Sequence, residues 1–409
     1  MITKIMKIEQ KIKWTEQHMP VMQTISNELS ETQPFKELKI GVCLHLTKET
    51  AILLMALHEA GAEVIACASN PLSTQDDVVG YLKHYYDMEI YGKKGMSEAE
   101  YKGGLQEVAM KNCDYIIDDG ADLTNFILFL ERGGTGYVLP KGGLEETTTG
   151  VTRIKNMILK YPIIAVNDAD TKHLFDNVYG TAQSTIDAIM RATNIMLAGK
   201  TFLVIGYGNC GKGLAQRARG MGCIVIVAEI DPIKALQAHM DGFKVMRNHM
   251  ACFEADVVIT VTGGLNVLDY GMVELKDGAI IANAGHFDVE INKVFLKERA
   301  KKITQISDDI TEYDMWGDEI FPRRIYLLSE GRLVNLSAAE GHPSEVMDMS
   351  FANQILGLEY LVKHPIYFED DKVYNMPVEI DRRVAELKLQ TLGIEIDKET
   401  EEQIKYRRS

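Results

Sequence analysis

The feature that most constrains this chain is a glycine turn in a fixed setting. Gly206-Tyr207-Gly208-Asn209-Cys210-Gly211 follows the apolar run Thr201–Ile205 and opens a helical run through Lys212, Gly213 and Leu214. A G-x-G-x-x-G is weak evidence alone, but a strand before it and a helix after it supply the setting of a strand–turn–helix anion site. Gly206 permits the tight turn, Gly208 lets the backbone approach a pyrophosphate, and Gly211 lets helix and strand pack closely. The N–H groups and partial positive charge at the helix start then face the phosphates. The next strand, Ile224–Ala228, ends at Glu229, 18 residues beyond Gly211. A carboxylate there accepts from both ribose hydroxyls of NAD and repels a 2′-phosphate, so the expected cofactor is NAD and not NADP.

The alternation runs through most of the chain. Lys39–Leu44 reads as a buried strand, followed by a helix over Thr47–Gly61 that Thr47 can cap. Glu63–Cys67, Asp114–Asp118 and Ile163–Val166 read as further strands, so a first unit precedes the glycine turn. A helical stretch over Ser184–Gly199 leads into the second unit, whose later strands are Asp256–Val261 and Ala279–Ala282. Strand–helix–strand order implies α/β architecture, with two doubly wound parallel sheets covered on both faces. Ile325–Leu328 and Arg332–Leu336, joined across Ser329–Gly331, predict a hairpin. The charged, helical tail Val378–Ser409 predicts a packing or subunit-contact element. Ligands in such sheets sit beyond the carboxyl ends of the strands, where His45, Asn70, Asp119 and Asp168 fall.

Charge excludes some functions. The chain carries 44 Lys+Arg against 59 Asp+Glu, a formal net charge of −15, which argues against a nucleic-acid or anionic-membrane partner. No apolar run approaches the roughly 20 residues that span a bilayer, and Met1–Trp14 lacks the apolar core of a secretory signal. Six scattered cysteines without a C-x-x-C predict reduced thiols in a cytoplasmic protein, with no disulfide frame and no metal site.

Polar segments at the strand ends carry a more specific signal. HLTKETA, NPLSTQDD, DDGADLTN, EETTTGV, VNDADTKHLFDNVYG, GYGNCGKG, AEIDP, NAGHFDVEI and AEGHPSEVMDMSFANQ occur in this order from His45 to Gln354. In these stretches the chain resembles the adenosylhomocysteinase (S-adenosylhomocysteine hydrolase) family. The resemblance implies a split substrate domain (residues 1–180, returning over 337–375), an inserted NAD-binding Rossmann domain (181–336) and a helical dimerisation segment (376–409). It implies a homo-oligomer acting on a nucleosyl-homocysteine, usually a homotetramer, with the shortened tail leaving dimer or tetramer open. The implied reaction oxidises the sugar 3′-hydroxyl, eliminates homocysteine, adds water and reduces the ketone again, so NAD is regenerated each cycle. S-adenosyl-L-homocysteine is the favoured substrate. S-inosyl-L-homocysteine, used by some archaeal members, is the alternative, and an ordinary NAD dehydrogenase is a weaker one.

The resemblance also implies roles. Lys172 matches the lysine that assists loss of the 3′-hydroxyl proton, and partial desolvation beside a cationic nicotinamide would lower its pKa. Lys172 and Asp176, four apart, share a helix face. Asp176 and Glu146 match acids on the ribose hydroxyls, and Asn177 would hold Lys172 or the nicotinamide. Asp119 and His45 match the pair that handles the C4′ proton and the water, and His286 matches a histidine over the sugar. Thr47 and Glu49 resemble purine-edge contacts, and Asn70 and His342 complete the substrate set. Thr147, Thr148, Thr149, Asn177, Asn209, Cys210, Lys212, Gly213, Lys234, Ala284, Gly285, His286, Asn335 and His342 join Gly206, Gly208, Gly211 and Glu229 as cofactor contacts.

Three departures from the family pattern stand out. Thr181 replaces a common cysteine near the nicotinamide. Lys234 replaces a common asparagine near the adenosine ribose. The chain ends at Ser409, where many members continue to a lysine and tyrosine that reach a neighbour's NAD, so looser NAD binding, or binding by other groups, is expected.

Overall fold

The computed structural model describes residues 2–134, 137–315, 323–369 and 371–408. Met1 and Ser409, the outermost residues of the expected first and last segments, lie outside the described residues. The strands in chain order are β1 Lys39–Leu44, β2 Glu63–Ala68, β3 Glu89–Tyr91, β4 Tyr115–Asp118, β5 Gly142–Glu145, β6 Ile163–Ala165, β7 Thr201–Ile205, β8 Ile224–Ala228, β9 Lys244–Val245, β10 Val257–Thr260, β11 Ala279–Asn283, β12 Lys302–Ser307, β13 Ile310–Asp314, β14 Arg324–Leu328 and β15 Val373–Asn375. They form a seven-stranded sheet ordered β15-β6-β5-β4-β1-β2-β3 and an eight-stranded sheet ordered β12-β13-β14-β11-β10-β7-β8-β9.

The seven-stranded sheet is parallel throughout. Its strands read as unbroken apolar runs because each side faces its own core. Ile40, Val42 and Leu44 enter one core with the N-terminal helix Pro20–Thr32 and the helix Ser344–Lys363. Cys43 enters the opposite core with Ile65, Cys67 and Ile116. In the second sheet Phe202 and Val204 face one core, and Leu203 and Ile205 the other. Strand order reverses between β1 and β4 in the first sheet and between β7 and β10 in the second. Each reversal opens a crevice beyond the strand ends.

The expected hairpin does not form. Strand β14 pairs parallel with β11 and antiparallel with β13. Ser329, Glu330 and Gly331 all have positive φ (47°, 54° and 77°), which redirects the chain into the short helix Val334–Ser337. The tail divides. The helix Val378–Thr391 packs through fully buried Val384, and its Asp381 carboxylate accepts from the backbone N–H groups of Asp170 (2.7 Å) and Thr171 (2.9 Å). The helix Glu401–Arg408 buries none of its described residues.

The two sheets are joined by a crossover before the helix Thr181–Thr193 and by the return segment before Ser344. Gly213 belongs to this packing. A Cβ on it would lie 1.8 Å from the Val178 carbonyl oxygen, so the glycine seats the helix Asn209–Gly220 on the crossover. Gly213 does not line the cavity described below.

Candidate active site

The two crevices meet in one cavity of about 1160 Å³, lined from both sheets. That exceeds the roughly 300–1,000 Å³ of a single small-molecule pocket, so there is room for a dinucleotide and a second ligand.

On the wall from the second sheet, Gly206 has φ +108°, and a Cβ there would lie 2.8 Å from the Val261 carbonyl oxygen. A Cβ on Gly211 would lie 2.1 Å from the Gly206 carbonyl oxygen. Gly211 is thus a packing residue under the turn, not part of the lining. Gly206, Gly208, Asn209, Cys210 and Lys212 line the cavity. No side chain caps the helix that starts at Asn209, so its first N–H groups are free for an anion. Glu229 accepts from the backbone N–H groups of Tyr207 (2.6 Å), Ile230 (2.7 Å) and Asp231 (2.9 Å), which ties the glycine turn to the end of β8. Lys234, Ala284 and Gly285 also line this wall. Asn335 lines it too, and its buried Oδ1 has no hydrogen-bond partner. A glycine turn without obstructing side chains, an open helix start and an orphaned amide acceptor fit a dinucleotide that ends in a carboxamide.

The wall from the first sheet carries two charged clusters. In the first, Lys172 Nζ lies 2.7 Å from Asp176 Oδ2 and 3.6 Å from Glu146 Oε1. It also donates to Asn177 Oδ1 at 3.2 Å and to Asn167 Oδ1 at 3.4 Å. Asp176 and Asn177 lie on a π-helix, His173–Gly180, and not on the expected α-helix. The wider turn places residues four and five beyond Lys172 on the same cation. His342 Nδ1 pairs with Asp176 from the return segment, and its Nε2 lies 3.3 Å from Thr181 Oγ1. Thr181 also accepts from the Cys210 thiol at 3.7 Å.

The electrostatics of this cluster follow from its two acids. Burial alone would lower the pKa of Lys172, but Asp176 and Glu146 outweigh it and hold the ammonium above its ordinary value. Burial would raise Asp176, yet His342 and Lys172 hold it well below the usual carboxylate range. Glu146 is raised, because burial outweighs the pull of Lys172. Two carboxylates on one lysine are therefore pushed in opposite directions, a pattern of sites that divide acid and base work.

The second cluster surrounds Asp119. His45 Nε2 lies 3.3 Å from Asp119 Oδ2, Ser69 Oγ donates to the same oxygen at 3.2 Å, and His286 Nδ1 lies 4.0 Å from Oδ1. Oδ1 is buried without a hydrogen-bond partner. Burial lowers the pKa of His45 despite the pull of Asp119. Its Nδ1 is 2.6 Å from Ser73 Oγ, which fixes the ring. Gly120 has φ +90°, and a Cβ on it would lie 2.6 Å from His286 Nε2, so only glycine lets the two walls approach here.

Other expected residues are placed less simply. Thr47, Glu49, Thr148, Thr149 and Asn177 line the cavity. Glu49 accepts from Ser344 Oγ at 2.8 Å and pairs with Lys48 at 3.2 Å. Thr147 lines the cavity, but its hydroxyl donates to Glu145 at 2.8 Å and caps the following helix at Gly150. Asn70 does not line the cavity. Its side chain closes a local turn by accepting from the Leu72 N–H at 2.9 Å. The six cysteines are free, and Cys210 lines the cavity.

Sequence reasoning missed two buried carboxylates. Glu145 accepts from the N–H groups of Gly120 (2.9 Å), Ala121 (3.0 Å) and Thr147 (2.9 Å), lacing the loop after β4 to the loop after β5. Glu290 does the same for Thr262 (2.9 Å) and Gly263 (2.7 Å) beyond β10. An acid as the last residue of an otherwise apolar strand was the signal for Glu145. Glu290 had no such signal.

The comparisons with known proteins agree with this layout. The family model described as S-adenosyl-L-homocysteine hydrolase matches residues 3–139, and the model of that hydrolase's NAD-binding domain matches residues 177–341. The chain is 54% identical to the adenosylhomocysteinase of Aquifex aeolicus, over 97% of this chain and 94% of that protein. It is 49% identical to the S-inosyl-L-homocysteine hydrolase of Methanocaldococcus jannaschii, over 97% and 95%. It is also 49% identical to the adenosylhomocysteinase of Archaeoglobus fulgidus, over 97% of each. The unit built on the glycine turn is an NAD-binding domain, and the chain belongs to the S-adenosyl-L-homocysteine hydrolase family.

Proposed function

We propose that this chain hydrolyses S-adenosyl-L-homocysteine, reversibly, to adenosine and homocysteine. The observation that carries the reading is the single cavity with an NAD wall on one side and the Lys172 and Asp119 clusters on the other. Bound NAD supplies a hydride acceptor, and its cationic ring is a like charge that lowers the pKa of a nearby ammonium. The residues of the chain do the rest. Glu146 and Asp176 bind the ribose hydroxyls, and Lys172 assists loss of the 3′-hydroxyl proton. Asp119, flanked by His45 and His286, takes the C4′ proton once C3′ is a ketone. His45, neutral and held by Ser73, exchanges protons with the departing sulfur and the entering water. A simple dehydrogenase would leave the Asp119 cluster without work.

Thr47 and Glu49 are assigned to the purine edge. The Methanocaldococcus jannaschii relative keeps S-inosyl-L-homocysteine as the second reading. Rates on the adenosyl and inosyl thioethers, measured side by side by release of homocysteine, decide between them. Faster release from the adenosyl compound, with no net change in NADH absorbance, is the expected result. Cofactor consumed mole for mole, with no homocysteine, contradicts both.

Glu229 is assigned to the adenosine ribose. Glu229→Ala is expected to weaken NAD binding about ten- to a hundredfold, the worth of a hydrogen bond to a charged group. Titration of the apoprotein with NAD measures it, and unchanged affinity removes the assignment. The same reading assigns residues 1–180 and 337–375 to substrate, 181–336 to NAD and 376–409 to subunit contact. The place of β15 in the first sheet supports the split. A cytoplasmic homotetramer is the assembly proposed. Exposed Ile233, Leu236 and Met240 along the helix Pro232–Met240 support self-association.

A further inference from the structure

We infer that Ser350 and Gln354, on the helix Ser344–Lys363, are positioning residues that clamp both carboxylate oxygens of Glu146 from behind and keep it turned to Lys172. The inference rests on the assignment of Glu146 to the sugar hydroxyls. Ser350 Oγ donates to Glu146 Oε1 at 2.9 Å, and Gln354 Nε2 donates to Oε2 at 2.5 Å. Both residues are fully buried and four apart, so they present one face of the helix to one carboxylate. Between them, Asn353 Nδ2 donates at 2.7 Å to Thr171 Oγ1, the residue before Lys172. One helix turn therefore holds both ends of the Lys172–Glu146 pair.

Packing alone does not account for this turn. Among the described residues, the buried Gln354 Oε1 and Asn353 Oδ1 atoms have no hydrogen-bond partner. A buried amide with one end unsatisfied is costly, and an apolar residue of the same length would avoid the cost. What the amides provide is N–H groups aimed at the acid and at the base of the lysine.

The consequence is a pH effect with a definite sign. Glu146 faces Lys172 and Asp176 from the crossover and Asp119 from the loop after β4, and His342 acts on it through Asp176. Its chain neighbour Glu145 points instead into the backbone of Gly120 and Ala121. Burial already raises the pKa of Glu146, and the Gln354 amide lowers it. Removing a donor raises it further, so activity that needs the carboxylate is lost at a higher pH.

The test is the pH profile of kcat for NAD-loaded Ser350→Ala, Gln354→Met and Gln354→Glu, with thermal unfolding as the check on folding. The acid limb is expected to move up by about one unit in the first two. It should move further in Gln354→Glu, where two carboxylates at hydrogen-bond distance cannot both ionise. Glu146→Gln separates the underlying assignment from the inference. If Glu146→Gln loses activity and the acid limbs move in that order, the inference stands. If Glu146→Gln loses activity but the other profiles superimpose on the parent, the two residues are structural and the inference is wrong. If Glu146→Gln keeps parental turnover, the assignment fails and takes the inference with it.

Discussion

Lys172→Met is expected to lower turnover by about a thousandfold while leaving NAD bound and the chain folded. General acid–base groups contribute about 10²–10⁴ to rate, and the lysine also orders its neighbours. Its ammonium is buried against Asp176 and Glu146 and bonded to Asn177 and Asn167. Removing it leaves two buried carboxylates without their ammonium, a loss of about 3–5 kcal/mol of stability at neutral pH. The sign follows from linkage. Without the lysine Glu146, already raised by burial, rises further and Asp176 loses one of the groups that hold it down, so the folded variant binds more protons than the folded parent, and its stability relative to the parent falls as pH rises. Unfolding midpoints of variant and parent should therefore converge on acidification. Parental turnover in the variant would remove Lys172 from the mechanism, and a pH-independent gap in midpoint would contradict the charge account.

Asp119→Asn is expected to separate oxidation from elimination. Asparagine keeps an oxygen for the Ser69 hydroxyl and nearly the same volume, so the loop after β4 stays in place. What it loses is a base. Homocysteine release should fall about 10²–10⁴-fold, while the first hydride transfer, which depends on the Lys172 cluster, continues. Reduced cofactor should then accumulate on the enzyme after thioether is added, visible as near-ultraviolet absorbance that does not decay. Release of homocysteine at the parental rate would contradict the assignment of Asp119.

Much of this architecture was legible in the residues. Buried parallel strands announce themselves as short apolar runs, and the glycine turn fixed both its strand and its helix. The i, i+4 spacing of Lys172 and Asp176 gave their contact. The resemblance put Asn177 on Lys172 or on the nicotinamide, and the structure bonds it to Lys172; the π-helix that brings it there is a response to packing that leaves no local pattern. The return from β14 was misread because three consecutive positive-φ residues, two of them not glycine, carry no strong sequence signal. At Asn70 an Asx turn and a binding asparagine look alike in one dimension, and the structure shows the turn. The pull of Glu146 on Lys172 was not legible, because Glu146 is brought close by a neighbouring strand end. Ser350 and Gln354, more than 200 residues from Glu146, could be found only in three dimensions.

The central claim is that the thioether is cut through a transient 3′-ketone, which makes the hydrogen on C4′ exchangeable. The direct measurement is turnover in deuterated water, followed by mass and NMR analysis of the nucleoside and of recovered substrate. The account predicts deuterium at C4′, lost in Asp119→Asn, with no net change in cofactor absorbance over the parent's full reaction. Homocysteine released at the normal rate beside a nucleoside that carries only its original C4′ hydrogen would contradict it.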